Sequence, residues 1–339
     1  MRRLAWLAGA WICAALPILG LADPAICGSV GDPDSDQVII WILAISLIVY
    51  GTGLTRALIR SPARWPIAKW RVGCFLAALA VTAFALLSPL DGLADRFLAG
   101  HMGQHLLLIL GVAPLIAISD AHLTLLWMFP LAMRRRLGLA IGRIPGIKRA
   151  ARTPAAAWLT CGLFAVTLAL WHVPAAYDWA LSHPGGHAVE HLTLIATAVA
   201  FWRMVITGGR HRLSPGMAVM MVSLIGIQGA LMGAIISFAP HPLYAAYAGN
   251  GLDDQALAGV MMCIPASLIY LASTIWALAR MLRTKPPRRQ AAMAAASFVN
   301  DADRHPSSAR VLSRLAAGSD SWPLPENVAG PTPRSGLER

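Results

Sequence analysis

Charged residues are scarce in this chain: Asp, Glu, Lys and Arg together make up only 13% of its 339 residues. A soluble domain is about one quarter charged, so this composition excludes a soluble fold for most of the chain. Hydrophobic residues account for 57% of the sequence, and the mean hydropathy is +0.60. The composition therefore predicts that most of the polypeptide lies in a lipid bilayer.

Cysteines are also few, and they are scattered. None belongs to a CxxC pair, so the sequence offers no disulfide framework. The net charge of +12 would suit a nucleic-acid partner, but the Lys and Arg residues lie between long apolar runs. That placement is typical of a membrane topology signal, and we expect no nucleic-acid partner. The five cysteines are Cys13, Cys27, Cys74, Cys161 and Cys263.

Seven apolar segments each approach the roughly 20 residues that a helix needs to cross a hydrocarbon core. Because only helices satisfy their own backbone hydrogen bonds in lipid, the sequence predicts an all-α polytopic bundle of seven transmembrane helices. Pro114 and Pro265 are expected to kink two of these helices, and Gly229 with Gly233 to allow close helix packing. Residues 121–133 are too short to span and are expected to lie along the inner interface. The segments are 37–59, 72–90, 97–118, 154–173, 187–206, 216–239 and 255–279.

The two ends of the chain differ from the seven-helix region, which we place at residues 23–284. A basic start followed by an apolar stretch marks residues 1–22 as a signal peptide or an uncleaved anchor. Residues 285–339 are rich in Pro, Ser, Ala and Arg, which predicts a disordered cytoplasmic tail. After the leader, one side of the predicted bundle carries a single basic residue, Arg96. The positive-inside rule therefore predicts an outer N-terminus and an inner C-terminus.

Seven of the ten histidines fall on that outer side, at the ends of apolar helices. His101 and His105 are four residues apart and share one helical face, and His187 and His191 repeat this spacing. His172 ends a helix that arrives from the other side, which brings it to a similar depth. Polar rings in an apolar setting need a partner, and a shared metal ion supplies one. We therefore predict that the metal ligands are His101, His105, His172, His187 and His191, and that His183 and His241 are turn residues.

Several metal chemistries remain open at this stage. Imidazole with thioether nearby favours copper, whereas imidazole with carboxylate would also suit zinc. Residues 187–191 match the H-x-x-E-H metalloprotease pattern, so a membrane-embedded zinc hydrolase with Glu190 or Asp254 handling protons is one alternative. Haem ligation by His105 and His191 is another. Copper transport or copper resistance is a further alternative function.

Four blocks of the sequence resemble the CtaG family of multi-spanning bacterial membrane proteins, which are implicated in assembling cytochrome c oxidase. The blocks are SPLDGLADRFLAGHMGQHLLL, WHVPAAYDWAL, HAVEHLTLIATAVAFW and DDQALAGVMM, and the likeness covers about residues 37–280. The resemblance implies a non-catalytic assembly factor in the bacterial plasma membrane, with oxidase subunits as partners and copper handled at the outer face. Beyond the histidines, the positions that it implies as supporting residues are Met102, Gln104, Tyr177, Asp178, Glu190, Asp254, Gln255 and Met262.

Overall fold

The computed structural model describes residues 33–60, 67–143, 153–183, 185–207 and 214–283, so the predicted signal segment and tail lie outside the described residues. The described helices include a π-helical turn, Leu107–Val112, and a 3₁₀ helix, Ala245–Asn250. No strand occurs in the described ranges, and the all-α class is confirmed. The helices are α1 (Pro33–Arg60), α2 (Lys69–Leu87), α3 (Pro89–Arg96), α4 (Leu98–Leu106), α5 (Ala113–Ser119), α6 (Ala121–Met128), α7 (Leu131–Arg143), α8 (Pro154–Trp171), α9 (Pro174–Ser182), α10 (Gly186–Thr207), α11 (Pro215–Phe238) and α12 (Gly251–Arg283).

Seven helical rods in the described part of the chain are long and apolar enough to cross a membrane. They are α1, α2, the rod formed by α4, the π turn and α5, and then α8, α10, α11 and α12. Large apolar side chains on their outer faces, such as Val166, Leu192 and Ile235, are more than 60% exposed, as expected of a lipid-facing surface. The predicted polytopic membrane bundle is confirmed.

Three helices begin with the same local signal, a hydroxyl residue followed by proline. The hydroxyl oxygen accepts a hydrogen bond from an N–H of the first turn, and proline fits there because its missing N–H would have had no helical partner. This signal explains why α2 stops at Leu87 instead of continuing to residue 90, since Ser88 and Pro89 start α3. In these caps the hydroxyl of Ser88 accepts from Leu90 N at 3.1 Å, that of Thr153 from Ala156 N at 3.3 Å and that of Ser214 from Met217 N at 3.2 Å.

The π-helical turn in the third span was not predicted, although Pro114 lies two residues after its end. At this turn the N–H of Ala113 donates to the carbonyl oxygen of Leu108, five residues earlier. In the same register the carbonyl oxygen of Ile109 would face the nitrogen of Pro114, which carries no hydrogen. The indole Nε1 of Trp202 donates to that oxygen at 2.9 Å instead. A side chain from α10 thus satisfies the carbonyl group that proline leaves unpaired.

Small residues set the contact between α11 and α12. A methyl group on Gly233 would lie 2.6 Å from the carbonyl oxygen of Gly259, so the two backbones touch there. The expectation of close packing is confirmed for Gly233 and is wrong for Gly229, because a methyl group on Gly229 would meet no atom within 4 Å. Gly229 lines a small cavity instead. Pro265 lies inside α12, which continues through it.

The segment 121–133 forms two elements, since α6 ends at Met128 and α7 begins at Leu131. Helix α6 packs against α1, where Gly53 meets the backbone of Thr124 and the guanidinium of Arg56 donates to the carbonyl oxygen of Met128. Its placement at the inner membrane interface stays a prediction.

Asp120, the residue between α5 and α6, has a buried carboxylate that forms ion pairs with two other helices. Asp120 has a positive φ of 50°, and its side chain pairs with Arg71 of α2 and with Arg203 of α10, the latter at 2.9 Å. Burial would raise the pKa of Asp120, but the hydrogen bond from Arg203 and the two positive charges outweigh it and hold this pKa below its ordinary value. Sixteen residues separate His187 from Arg203 on α10, so this ion cluster lies about 24 Å from the first histidine of that helix.

Candidate metal centre

Three helices bring five histidines to one end of the bundle. Helix α4 carries two of them on one face, α10 carries two more at its start, and His172 caps the end of α8. The rings converge with a buried glutamate of α10, so the predicted clustering of the five residues is seen in space. We define the histidine cluster as His101, His105, His172, His187, His191 and Glu190.

The shortest contact in the histidine cluster joins the two rings of α4. The Nε2 atoms of His101 and His105 are 3.0 Å apart. Ligand atoms of His101, His105 and His191 all lie within 4.8 Å of one another, and so do those of His101, His187 and Glu190. Two nitrogens bound to one tetrahedral metal at 2.0–2.1 Å lie about 3.3 Å apart. Small side-chain movements would therefore suffice for these groups to bind one ion.

His101 lies at the centre of the cluster, and His172 is its outlying member. The ring centroid of His101 is 5.0 Å from that of His187 and 6.0 Å from that of His191. The ring of His172 approaches His105 at 6.4 Å. Nδ1 of His172 lies 2.7 Å from the carbonyl oxygen of Leu168 and must carry the ring hydrogen, which leaves the lone pair on Nε2.

Tyr247 of the 3₁₀ helix holds the central histidine, and sequence reasoning missed it. Its hydroxyl donates to the carbonyl oxygen of Ala94 at 2.6 Å and lies 3.3 Å from Nδ1 of His101. Because the phenol hydrogen is already used, Nδ1 of His101 donates to the phenol oxygen, and Nε2 keeps its lone pair. Tyr247 is 146 residues away from His101, and no motif links the two positions.

Glu190 is a fully buried carboxylate with its charge uncompensated by Lys or Arg in the described part of the chain. Its Oε1 lies 3.5 Å from Nε2 of His105, and its Oε2 lies 4.0 Å from Nε2 of His101. Neither oxygen accepts a hydrogen bond from a described residue. A carboxylate in an apolar bundle needs a cation or a proton. Glu190 therefore holds a proton or, when it is ionised, supplies the negative charge that favours a bound cation in this cluster.

Several ring nitrogens of the cluster are also buried without a hydrogen-bond partner among the described residues. Unsatisfied polar atoms are costly in an apolar interior, and a group of them in one place is typical of a site that binds a ligand. The atoms are Nδ1 of His105 and Nε2 of His172, His187 and His191.

Three of the expected supporting residues, Met102, Tyr177 and Met262, lie beside the histidine cluster. Met102 and Tyr177 are fully buried, and the ring of Tyr177 lies 5.1 Å from that of His101. Met262 is buried too, and it packs in the same group of apolar side chains as Met102 and Tyr177. Gln104 is buried as well, and its amide donates to Asp91 Oδ1 at 2.6 Å.

Asp91 receives that hydrogen bond just outside the third span. Burial raises the pKa of Asp91 to about 6; the hydrogen bond from Gln104 lowers it, and the nearby carboxylates of Asp95 and Asp36 raise it further. Asp91 therefore fixes the side chain that lies between the two histidines of α4 in sequence.

Asp254 lies at the start of α4 and contacts it from α12. Its two oxygens accept from Leu98 N at 2.8 Å and Ala99 N at 3.1 Å, so it caps α4 from another helix. Such a partner is needed because the N-cap residue of α4, Phe97, has no polar side chain. Asp254 positions the helix that carries His101, and Glu190 is the carboxylate that reaches the rings.

Asp178 and Gln255 hold the chain between α11 and α12. Asp178 accepts from the backbone nitrogens of Ala245 and Ala246 at 3.3 and 3.4 Å. Gln255 Oε1 accepts from Leu243 N at 2.7 Å. Neither side chain forms a hydrogen bond with a histidine ring in the described part of the chain. Both therefore support the segment that carries Tyr247.

The remaining described histidines lie outside the cluster. His183 is exposed, and its Nδ1 lies 2.9 Å from the carbonyl oxygen of Trp179. His241 is exposed as well, in the connection before the 3₁₀ helix. His122 lies against Arg203 at 3.1 Å, next to the Asp120 ion cluster.

Comparison with known proteins assigns the chain to a family. The family model of the cytochrome c oxidase caa3 assembly factor, Caa3_CtaG, matches residues 48–284, a range that contains the whole histidine cluster. Comparisons with curated proteins and with solved structures give no match. The family match covers most of the chain and confirms the resemblance of its histidine-bearing blocks. This membrane protein belongs to the cytochrome c oxidase caa3 assembly factor family.

Proposed function

We propose that this assembly factor binds copper in its histidine cluster, at the outer face of the bacterial plasma membrane, and hands the ion to an oxidase subunit during assembly. The observation that carries this proposal is the convergence of His101, His105 and His191, with the buried carboxylate of Glu190 3.5 Å from His105. Copper is the cargo, and oxidase subunits are the partners that receive it.

The donor atoms suit this cargo. Imidazole nitrogens bind both copper oxidation states, and two buried thioethers, Met102 and Met262, lie nearby. Tyr247 leaves the lone pair of His101 on Nε2, where the neighbouring groups converge. His187 is only partly buried at the start of α10, which gives an incoming or departing ion a ligand near the surface.

The charge distribution supports an outward-facing cluster. The opposite end of the described bundle carries Arg71 and Arg203, and the arginines of α7 follow the third span on that side. By the positive-inside rule this basic end faces the cytoplasm, which leaves the histidines at the outer face where oxidase copper is inserted.

Copper content of the purified full-length protein tests the binding step. Wild type is expected to retain copper, and the variant with His101→Ala, His105→Ala and His191→Ala is expected to lose most of it. His183→Ala is the matched control, since this exposed histidine lies outside the cluster. Equal copper in the triple variant and the wild type would refute the proposal.

A deletion strain tests the delivery step. Cytochrome c oxidase activity is expected to fall on deletion, to return with the wild-type chain, and to stay low with the triple variant. Added copper is expected to restore part of the activity. If deletion changes copper tolerance and leaves oxidase activity intact, the copper resistance alternative replaces delivery.

The zinc hydrolase alternative draws on the juxtaposition of His187, Glu190 and His191 in one H-x-x-E-H segment. A hydrolase needs room for water and substrate beside the glutamate. Glu190 is fully buried, and the small cavity beside the cluster is not lined by it, so the geometry gives this alternative less support. Haem ligation has less support too, because the rings of His105 and His191 are only 5.1 Å apart. Chelator-sensitive turnover or a Soret band would favour these alternatives.

A further inference from the structure

A small cavity of about 30 Å³ adjoins the histidine cluster on the side of α11 and α12. Two residues of the cluster, His105 and His172, line it together with two methionines, Met102 and Met262. Gly229 lines it as well, and the side chain that glycine lacks leaves part of this space open. The volume suits about one water molecule or one ion.

Both histidines that line the cavity hold an unpartnered lone pair. The ring hydrogen of His172 is on Nδ1, so its lone pair is on Nε2, a buried atom with no described partner. His101 keeps its lone pair on Nε2, so at 3.0 Å the Nε2 atom of His105 must carry the hydrogen. The lone pair of His105 is then on Nδ1, which is also buried and without a described partner.

The donor set of the cavity differs in charge from that of the histidine cluster. No carboxylate lines the cavity, whereas the cluster contains Glu190. The cost of burying an ion in a medium of low dielectric constant rises with the square of its charge, so a neutral set of ligands favours a monovalent cation over a divalent one. Thioether sulfur selects copper(I) among the biological first-row metals.

We propose that this cavity is an inner binding site for copper(I), with Met102, Met262, His172 and His105 as its ligands. The inference rests on the proposed function and specifies the ion and a second position for it. A water molecule could donate hydrogen bonds to both lone pairs, but it would gain little from the two sulfur atoms. Copper(I) would gain from all four groups after small rotations that direct the two ring nitrogens into the cavity.

His105 links the two sites because it belongs to both donor sets. A neutral imidazole has one lone pair, so this ring can bind an ion through Nε2 in the outer cluster or through Nδ1 in the cavity, and not through both at once. Movement between the sites is then an exchange of ligands on one copper(I) ion, in which the ring proton of His105 moves from Nδ1 to Nε2 and no electron is transferred.

Silver(I), a redox-inert substitute for copper(I), and Zn²⁺ test the inner site on the purified full-length protein. The variant Met102→Leu with Met262→Leu keeps the side-chain volume and removes both sulfur atoms. Its silver(I) affinity is expected to fall at least tenfold, while its Zn²⁺ binding at the histidine cluster is unchanged. Met261→Leu is the matched control, because this neighbouring thioether does not line the cavity and its loss is expected to change neither affinity.

X-ray absorption of copper(I) bound to wild-type protein labelled with selenomethionine gives a second readout that needs no variant. A copper–selenium shell is expected, which also separates methionine from the cysteine sulfurs of the chain. Absence of that shell, or silver(I) affinity unchanged in the double variant, overturns the inner site. After either of these two negative results, the proposed function survives if the wild type still binds Zn²⁺ at the histidine cluster. If the wild type binds neither Zn²⁺ nor copper there, the proposed function fails together with the inner site.

Discussion

The hydroxyl of Tyr247 lies 3.3 Å from Nδ1 of His101, and this contact determines which nitrogen of the histidine can bind an ion. The phenol hydrogen is directed to the carbonyl oxygen of Ala94 at 2.6 Å, so the ring of His101 donates from Nδ1 and keeps its lone pair on Nε2. Partners of this kind behind a metal ligand orient the ring and raise its basicity.

We predict that Tyr247→Phe lowers the copper affinity of the histidine cluster about 10- to 100-fold while the helical bundle remains folded. The loss arises because Nδ1 of His101 has no acceptor and the ring loses its fixed tautomer. Competition with a chelator of known affinity measures the change. Tyr50→Phe is the control, since Tyr50 is also fully buried but packs on Phe75, away from the cluster. Equal affinity in Tyr247→Phe and wild type would show that the contact is dispensable.

We predict that Trp202→Phe lowers the free energy of unfolding by about 1–3 kcal/mol, because it leaves the carbonyl oxygen of Ile109 buried without a donor. Thermal unfolding in detergent measures the loss. Pro114→Ala in the same chain is expected to recover part of it, because alanine supplies the N–H that the π register directs at Ile109. Identical effects of Trp202→Phe with and without Pro114→Ala would contradict this account of the turn.

Local signals were enough to predict the seven spans and the pairing of His101 with His105. Apolar length gives a membrane helix, and a spacing of four residues places two rings on one face. The predicted convergence of the two histidine pairs followed from their similar depth in the third and fifth spans, which cross the membrane in the same direction. The family blocks then marked Glu190, Met102 and Met262, which lie in or beside the cluster.

Long-range partners could not be read from the sequence. Asp254 caps a helix that begins 156 residues earlier, and Tyr247 reaches a histidine 146 residues away. Neither relationship leaves a local pattern, because each depends on how the last span packs against the third. The π turn before Pro114 was missed for the same reason, since the donor to its unpaired carbonyl oxygen, Trp202, comes from another helix.

We predict that the free energy of unfolding falls by on the order of 1 kcal/mol as the pH rises from about 4 to 7, because of Asp91. Its pKa is raised from 3.8 to about 6 in the folded chain, so the folded state holds a proton that the unfolded state has lost. The stabilisation is therefore complete below pH 3.8 and is lost as the pH rises through 6. Asp91→Asn can still accept a hydrogen bond from Gln104 and is expected to abolish this slope of the free energy of unfolding against pH. Asp253→Asn, at an exposed position, is the control and should leave the slope unchanged. Unfolding curves across this pH range provide the measurement, and an unchanged slope in Asp91→Asn would assign it to other groups.

Asp120 is expected to give the opposite slope, because its pKa is held below the ordinary 3.8 by Arg203 and Arg71 in spite of burial. The folded state then binds fewer protons than the unfolded state, so this stabilisation is present above about pH 4 and is lost as the pH falls below it. We predict that Asp120→Asn lowers the free energy of unfolding at pH 7 by about 1–3 kcal/mol. Asparagine tolerates the positive φ of 50° and can still accept from Arg203, so this substitution isolates the charge, whereas Asp120→Ala should cost at least about 1 kcal/mol more through backbone strain and the lost acceptor. Calorimetry of the three chains at pH 7 separates the two contributions, and equal stability of Asp120→Asn and wild type would mean that the ion cluster contributes nothing to the fold.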